Sequence, residues 1–584
     1  MQARAQNTNN TQRTLGFFLV AGLAVLPALA GTPEVLGHVP ADAQFVMVVP
    51  DLGELLDDIN AINTLMGDQG EPMVMMVTSM IRGMPGINLG GSMAVVMSFE
   101  EGDEEPEGVA LVPVADFGAL AQGQTAENGV IELPMGGDVM YLRNAGDGYA
   151  VLGDNDDLVR DYDASGGHLK AHTATLGNSG GQIADGNDLF VYVNFEGFSE
   201  MIAQGMQELE DQGEMVEMMG GAEAVAGYDA FVNIAQTVVN DGSSFAMGIN
   251  FDQASGVSFD VGLQFKDDSS SASFLQNKGN AGKYFNNVPA MDYFFASAFD
   301  LSGDGIQKLI GGGIEMIEKF DTTGMMKGMN LGALSSGLKG GIEVMGASDN
   351  VMGGLLSNTV YYMEVDNADG YIDAIQQMYA GINEGMGELA DAGISIDATM
   401  DEEPTEINGV DAYGFNFAMD LSGLNDMAGG MGGPNPAMFM GMIFGPDGGP
   451  SGYLAKAGDG IVTTMSKDAE FFSMVASAAN GENTMAGNAS IATTAAMLPK
   501  NRIMETYIGA DHLVNTAGPM LMMFGVIPEF EPLDALPPIG MGCTADGGGF
   551  LFRTVLPMNT IGSIMELIPE EAYGEGGDDE NMDF

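Results

Sequence analysis

One cysteine, no tryptophan, four histidines and only 18 lysines and arginines among 584 residues set the first limits on this chain. With Cys543 alone, no intramolecular disulfide can form, so stability has to come from packing. A lone thiol of this kind reads as buried and inert; an intermolecular bridge or a reactive thiol is the other reading. Four histidines beside one cysteine leave little from which to build a zinc site of ordinary composition. Set against 82 acidic residues, the few basic ones leave a formal net charge of -64. Such a field repels phosphate backbones and anionic lipid surfaces and attracts metal ions and basic partners, so nucleic acid is not an expected partner. Solubility in salty surroundings is the plainest use of that charge. Beyond the N-terminal thirty residues no run of eighteen apolar residues occurs, and dense stretches such as MVMMVTSMI from Met73 are broken by polar residues, so the mature chain is expected to have no transmembrane segment.

What is present begins with MQARAQNTNNTQRTLGFFLVAGLAVLPALA, which carries Arg4 and Arg13, no acid, and an apolar run from Leu15 that closes on Ala28-Leu29-Ala30. A basic start, a short apolar middle and a small-x-small end read as a signal peptide over 1–30, with the mature chain starting near Gly31. The expected location is outside the cytoplasm, periplasmic or extracellular at the cell surface. No cysteine follows the apolar run, which argues against a lipid anchor. The acidic tail EEAYGEGGDDENMDF has too little apolar content to pack, and disorder is expected over 571–584.

The length suggests two to four domains, and self-similarity narrows this. VPADAQFVMVVPDLGELL from Val39 returns as VPAMDYFFASAFDLSGDGI from Val288, with Asp51-Leu52 and Asp300-Leu301 each displaced by 249 positions. AGDGYAVLGDNDDLV from Ala145 matches AGDGIVTTMSKDAEF from Ala457, displaced by 312. FVYVNFEGF from Phe190 is set beside RIMETYIGA from Arg502 at the same displacement of 312, pairing Gly197 with Gly509, and GVSFDVGLQF from Gly256 beside GFLFRTVLPM from Gly549. The order is kept throughout, so two duplicated units are expected, residues 39–286 and 288–570. Insertion-like runs, GINEGMGELADAG and GLNDMAGGMGGPNPAMFMGMIFGPDGGP, account for the greater length of the second.

Within each unit an apolar or alternating run meets a cap residue and then a helical period, as in VYVNFEGFSEMIAQ from Val191 and VYYMEVDNADGYIDAIQQ from Val360. Other runs pair as hairpins, among them FAMGINFDQASGVSFDVGLQF from Phe245 and DVMYLRNAGDGYAVLG from Asp138. Hairpins mixed with strand-to-helix junctions predict an α+β fold: two tandem duplicated units, each a mainly antiparallel sheet with helices packed on one face.

Pro40-Ala41-Asp42, an apolar stretch and then Pro50-Asp51-Leu52 leading a helix resemble the opening of an uncharacterised family of secreted proteins from planctomycete-type bacteria, a domain of unknown function. GDGYAVLG with its acidic helix is similar to a second signature of that family. The resemblance covers residues 39–165 best. It implies export and implies no activity or catalytic residue.

The remaining motifs each have a structural reading beside a chemical one. GNSGG from Gly177 looks like the nucleophile loop of chymotrypsin-type proteases, with Ser179 as nucleophile, but His38 adjoins the leader and His168 and His172 lie only a few residues upstream, so a polar linker is the favoured reading. DLSGDGIQKLIG from Asp300 begins like a calcium loop with Asp300, Ser302, Asp304 and Gly305, yet Gly311 stands at the twelfth place where a bidentate glutamate belongs; capping is favoured. The aspartates of GDNDDLVRDYD from Gly153 read as a solvated helix start rather than a cation site. The 47 methionines, in clusters such as MVEMM at Met215 and MFMGMIF at Met438, are read as core filler, with a pliable binding surface or a Cu(I) site as alternatives.

No catalytic, cofactor or metal constellation is assembled from these motifs. The expectation is an exported non-enzymatic binding or scaffold protein that engages a protein or an apolar ligand. The alternatives are an exported carboxylate- or metal-dependent hydrolase and a methionine-rich copper-binding protein.

Overall fold

The alternating and apolar runs become strands, nine of them in the first half of the described chain: β1 Phe45–Val49, β2 Met93–Ser98, β3 Glu107–Pro113, β4 Ile131–Met135, β5 Asp138–Gly146, β6 Tyr149–Gly153, β7 Leu189–Asn194, β8 Gly242–Asp252 and β9 Gly256–Phe265. The second half supplies β10 Tyr293–Asp300, β11 Leu338–Gly346, β12 Thr359–Val365, β13 Ser395–Met400, β14 Thr405–Ile407, β15 Val410–Asp420, β16 Ser451–Ala457, β17 Gly460–Thr464, β18 Arg502–Ile508, β19 Ile539–Asp546 and β20 Gly549–Pro557. This computed structural model describes residues 32–567 except 66–71, 100–105, 136–137, 200–201, 208–227, 229–231, 253, 321–330, 348–353, 386–394, 421–435, 446–448, 524, 526 and 528. The leader 1–30, the acidic tail 571–584 and the methionine cluster at Met215 lie outside the described residues, as do parts of both insertion-like runs.

All strand pairings among the described residues are antiparallel, and from its outer edge inward the first half runs β4-β5-β6-β3-β2-β1-β7-β8-β9. The second half runs β15-β16-β17-β12-β11-β10-β18-β19-β20, with β13 and β14 added outside β15. Apart from those two added strands the halves share one strand order. β9 pairs with β20, joining them into one sheet of 20 strands. The fold is α+β.

Register refines the sequence correspondences. Val46 pairs with the buried Tyr192 on β7, and Ala296 with the buried Tyr507 on β18. Beside them the Asn194 amide donates to the Gln44 carbonyl at 3.0 Å, and the Gly509 amide to the Phe294 carbonyl at 3.2 Å. Gly509 therefore takes the place of Asn194, a displacement of 315, and the pairing of Gly197 with Gly509 at 312 is corrected. The sequence reading also passed over TAENGV at Thr125 and TEINGV at Thr405. Both make a tight hairpin turn, with positive φ at Asn128 (53°) and Gly129 (88°) and at Asn408 (49°) and Gly409 (87°). Asn-Gly is the pair such a turn favours, because both central residues need the left-handed region.

The helices that matter below are α1 Leu52–Leu65, α2 Pro72–Gly83, α3 Asp156–Asp161, α4 Leu169–Gly186, α5 Ser270–Phe274, α6 Asp304–Phe320, α7 Ala469–Ala479, α8 Ala489–Ala495 and α9 Met558–Glu566. They do not keep to one face, as the sequence reading expected. On β2 and β3, Ala94, Val96, Val109 and Leu111 pack in one cluster with Val159 of α3 and Leu176 and Ile183 of α4. Their neighbours Val95, Ala110 and Val112 are buried in another cluster on the opposite face. Unbroken apolar runs such as AVVM and VALVP have no polar side to present to water, so both faces must be covered. In the second half, α7 and α8 (Phe472, Val475, Ile491) cover the face that carries Ala296, Ile342 and Tyr362.

At the join each half completes the other. Ala272 of α5 and the neighbouring Leu275, which follow β9, pack with Ile306 of α6 and Ala545 of β19. Ile561 of α9, which follows β20, packs against the cluster of Leu52, Leu55, Leu56 and Ile59 of α1. No helix among the described residues is long and apolar enough to cross a membrane.

Candidate functional site

The strand-to-helix junction at Asp51 sets the first wall of a cavity. The Asp51 carboxylate accepts from the amides of Gly53 (2.9 Å) and Glu54 (3.0 Å), satisfying free donors of the first turn and aiming α1 back across the sheet. Gly53 also donates to the Leu89 carbonyl at 2.6 Å, tying that turn to the loop before β2. On the outer rim Arg82 of α2 reaches Asp57 of α1 at 2.5 Å. An ion pair this exposed stabilises little, so what holds the two helices on the sheet is apolar contact.

Between the helices and the sheet lies a hollow of about 80 Å³. Its floor is Met47, Met93, Val95, Ala110, Val112 and Leu152; its roof is Leu52, Leu55, Leu56 and Ile59 of α1 with Met80 and Ile81 of α2 and the adjoining Met84. Thr78 is the one polar side chain among sixteen that line it. With no set of polar groups to bind water, such a space is dry. It is about half the ~150 Å³ of an engineered apolar cavity that admits benzene. Four of the lining residues are methionines, and Met80 is 37% exposed at the rim. Methionine has three rotatable bonds and a polarisable sulfur, so this wall can open further at little cost.

The second half carries a different surface at the matching positions. Met47, Val95, Ala110 and Leu152 are cross-strand neighbours in a row over β1, β2, β3 and β6. By strand register, which differs by one residue from the sequence displacements of 249 and 312 at β10 and β17, the row in the same places over β10, β11, β12 and β17 is Ser297, Glu343, Tyr361 and Thr463. The Tyr361 hydroxyl donates to Glu343 Oε1 at 2.9 Å, and Ser297 and Thr506 hydroxyls meet at 2.8 Å. Burial, and then the charge of Glu343, pushes the Tyr361 hydroxyl well above the usual phenol range. Four apolar floor positions in one half are thus polar in the other.

The motifs singled out in the sequence fall elsewhere. Ser179 is buried in α4 just past a kink at Gly177 (φ 56°), and its hydroxyl and amide both donate to Gln264 Oε1 at 3.1 Å. A Cβ on Gly177 would come within 2.4 Å of Gln264, so this glycine lets the kinked helix press onto β9. His172 instead meets Val39 and Tyr192, and His38 meets the Ala164 carbonyl, so neither serves as a base for Ser179. Asp300 accepts from the Ser302 amide (3.1 Å), the Ser302 hydroxyl (2.6 Å) and the Asn280 amide (2.9 Å). Burial opposes its ionisation, but the bonds from Ser302 and Asn280 and the charge of Lys283 outweigh it and hold its carboxyl below the usual range. That is a turn, not a calcium loop. In the run from Gly153, Asn155 caps α3 by accepting from Asp157 and Leu158, and Arg160 pairs with Asp156 and Asp157. Among the described residues no group of three or more His, Cys, Asp or Glu could hold a metal ion.

Sequence reasoning missed the cavity because its walls come from seven separate elements or loops. The signal was there in part: floor methionines Met47 and Met93 stand in β-branched strands where a smoother core would use valine or isoleucine. Comparison with known proteins finds no match to a family model, a curated protein or a solved structure.

Proposed function

We propose that this chain is an exported, non-enzymatic binding protein, built by tandem duplication of one α+β unit, that holds the apolar end of a small ligand between α1, α2 and the sheet of its first half. The single observation that carries this reading is the hollow lined by fifteen apolar side chains and Thr78, set against the polar row in the same places of the second half. Had the space been a packing fault of the unit, the copies would share its chemistry. The common strand order and the paired Asn-Gly turns support the duplication, with units 39–286 and 288–570. Export, to the periplasm or cell surface, is carried by the leader sequence, and the resemblance to a secreted planctomycete-type family is proposed on the Pro-Ala-Asp and Gly-Asp-Gly signatures alone. The net charge of -64 leaves nucleic acid outside the proposed partners.

The test is fluorescence of 1-N-phenylnaphthylamine, a dye that brightens in apolar surroundings, with wild type and Ala110→Leu. Ala110 is a small, 8% exposed floor residue, so leucine fills the hollow without adding a polar group. Wild type should brighten the dye, and A110L should weaken binding by about tenfold or more, the scale of 1.4 kcal/mol, while unfolding at a similar temperature. Equal binding by both proteins would refute the site.

A further inference from the structure

β9 and β20 carry one charged residue each, Asp260 and Arg553, in strands otherwise apolar, small or uncharged. These two are direct cross-strand partners. Arg553 Nε and Nη2 donate to the two Asp260 oxygens at 2.6 and 2.5 Å, Asn187 adds a bond to Oδ2 at 2.8 Å, and Arg553 Nη1 donates to the Met497 carbonyl at 3.3 Å. Asp260 is 1% exposed.

The register gives the pair its meaning. Gly256 faces Pro557 and Gln264 faces Gly549, so the matched strands GVSFDVGLQF and GFLFRTVLPM meet about a local two-fold axis. Residues displaced by 293 correspond along them, and Asp260 and Arg553 are themselves 293 apart, so this pair sits on the axis. In a symmetric pairing of two copies of one strand, the residue on the axis meets its own copy. β9 against β9 in this register would set Asp260 against Asp260, and β20 against β20 would set Arg553 against Arg553. The flanking pairs, Phe259 with Thr554 and Val261 with Phe552, are uncharged and discriminate little. Like charges buried face to face are strongly unfavourable, whereas a bidentate pair with extra hydrogen bonds is tolerated.

We propose that Asp260 and Arg553 choose the partner of the β9 edge: β20 of the same chain, and not β9 of a second copy. An uncommitted central edge invites exchange between molecules while the chain folds, and a charge on the axis is the least change that forbids it. This rests on the tandem-duplicate reading, which fails separately if the two halves of an experimental structure do not superpose strand for strand.

The test unfolds and refolds the full chain at low and high protein concentration and measures mass by size-exclusion chromatography with light scattering. Wild type should return as monomer at both. Asp260→Arg alone should refold poorly or melt lower, and the exchange D260R/R553D should restore both monomer and melting temperature. D260L/R553L, which keeps a packed apolar pair and removes the repulsion, should refold to dimers or larger species whose share grows with concentration. If D260L/R553L returns entirely as monomer, or if the exchange variant is as damaged as D260R, the proposal is overturned.

Discussion

His172 shows at the scale of one residue how burial sets a charge state. It is fully buried, Nε2 lies 2.9 Å from the Val39 carbonyl, and Nδ1 meets the Tyr192 hydroxyl. A carbonyl only accepts, so Nε2 carries the proton and Nδ1 accepts from Tyr192. Burial, with a smaller contribution from His168, lowers its affinity for a proton, against the opposing bonds to the Val39 and Pro40 backbone. Unfolding returns the imidazole to a pKa near ~6.5. Its folded value is the lower one, so the stability it contributes is present above that pH and is lost as pH falls towards the folded value. Denaturant unfolding between pH 7.5 and 5.5 should show a decline that His172→Gln flattens; an unchanged slope would contradict the assignment. Cys543 is the second residue-scale case. The side chain is part-buried, and burial pushes its thiol up to about 11 from the ordinary 9.0, so at neutral pH the reactive thiolate is scarcer than in an exposed cysteine. Native protein should react with a maleimide more slowly than the urea-unfolded chain, by about tenfold or more, as followed by intact mass.

At the scale of elements, the paired hairpin turns allow a comparison inside one molecule. Nothing lies within 4 Å of a Cβ built on Gly129 or Gly409, while φ there is +88° and +87°. Only the backbone term is at stake, so Gly129→Ala and Gly409→Ala should each cost about 1 kcal/mol and add in the double variant, measured by chemical unfolding. α1 answers differently. Leu55 is 1% exposed and borders a space that already exists, so Leu55→Ala should lose about 2–5 kcal/mol and raise dye binding by enlarging the hollow. A loss of stability with unchanged dye binding would place the dye elsewhere. These elements were largely legible beforehand: Asp51 and Asp300 both cap or close turns at strand ends, and the hairpins at Gly146-Asp147-Gly148 and after Asp252 lie where glycine and aspartate punctuate the sequence. The helix-covered second face was not. Periodicity reports which side of a strand is apolar, and in β2 and β3 both sides are, so the pattern leaves open what lies above each.

At the scale of the molecule, the sequence matches on which the proposed duplication rests could be read beforehand, one of them three residues out of register, but the join could not. That Gly256 and Gly549 begin similar strands was visible; that those strands pair with each other, placing Asp260 on Arg553, depends on contacts nearly 300 residues apart. The reciprocal packing of α5 on the second half and α9 on the first likewise has no local signature. The cavity belongs here too: the first half has an apolar floor and the second has Ser297, Glu343, Tyr361 and Thr463 in those places, so the proposed function predicts one apolar ligand per chain, although the two halves share a strand order. Photolabelling with a fatty-acyl chain that bears a diazirine at its end, followed by peptide mapping, tests this directly. The account predicts about one label per chain, on peptides that include Met47, Leu55, Met84 or Ala110, and its loss in A110L. Labels concentrated between residues 293 and 464, or spread without preference over both halves, would contradict it.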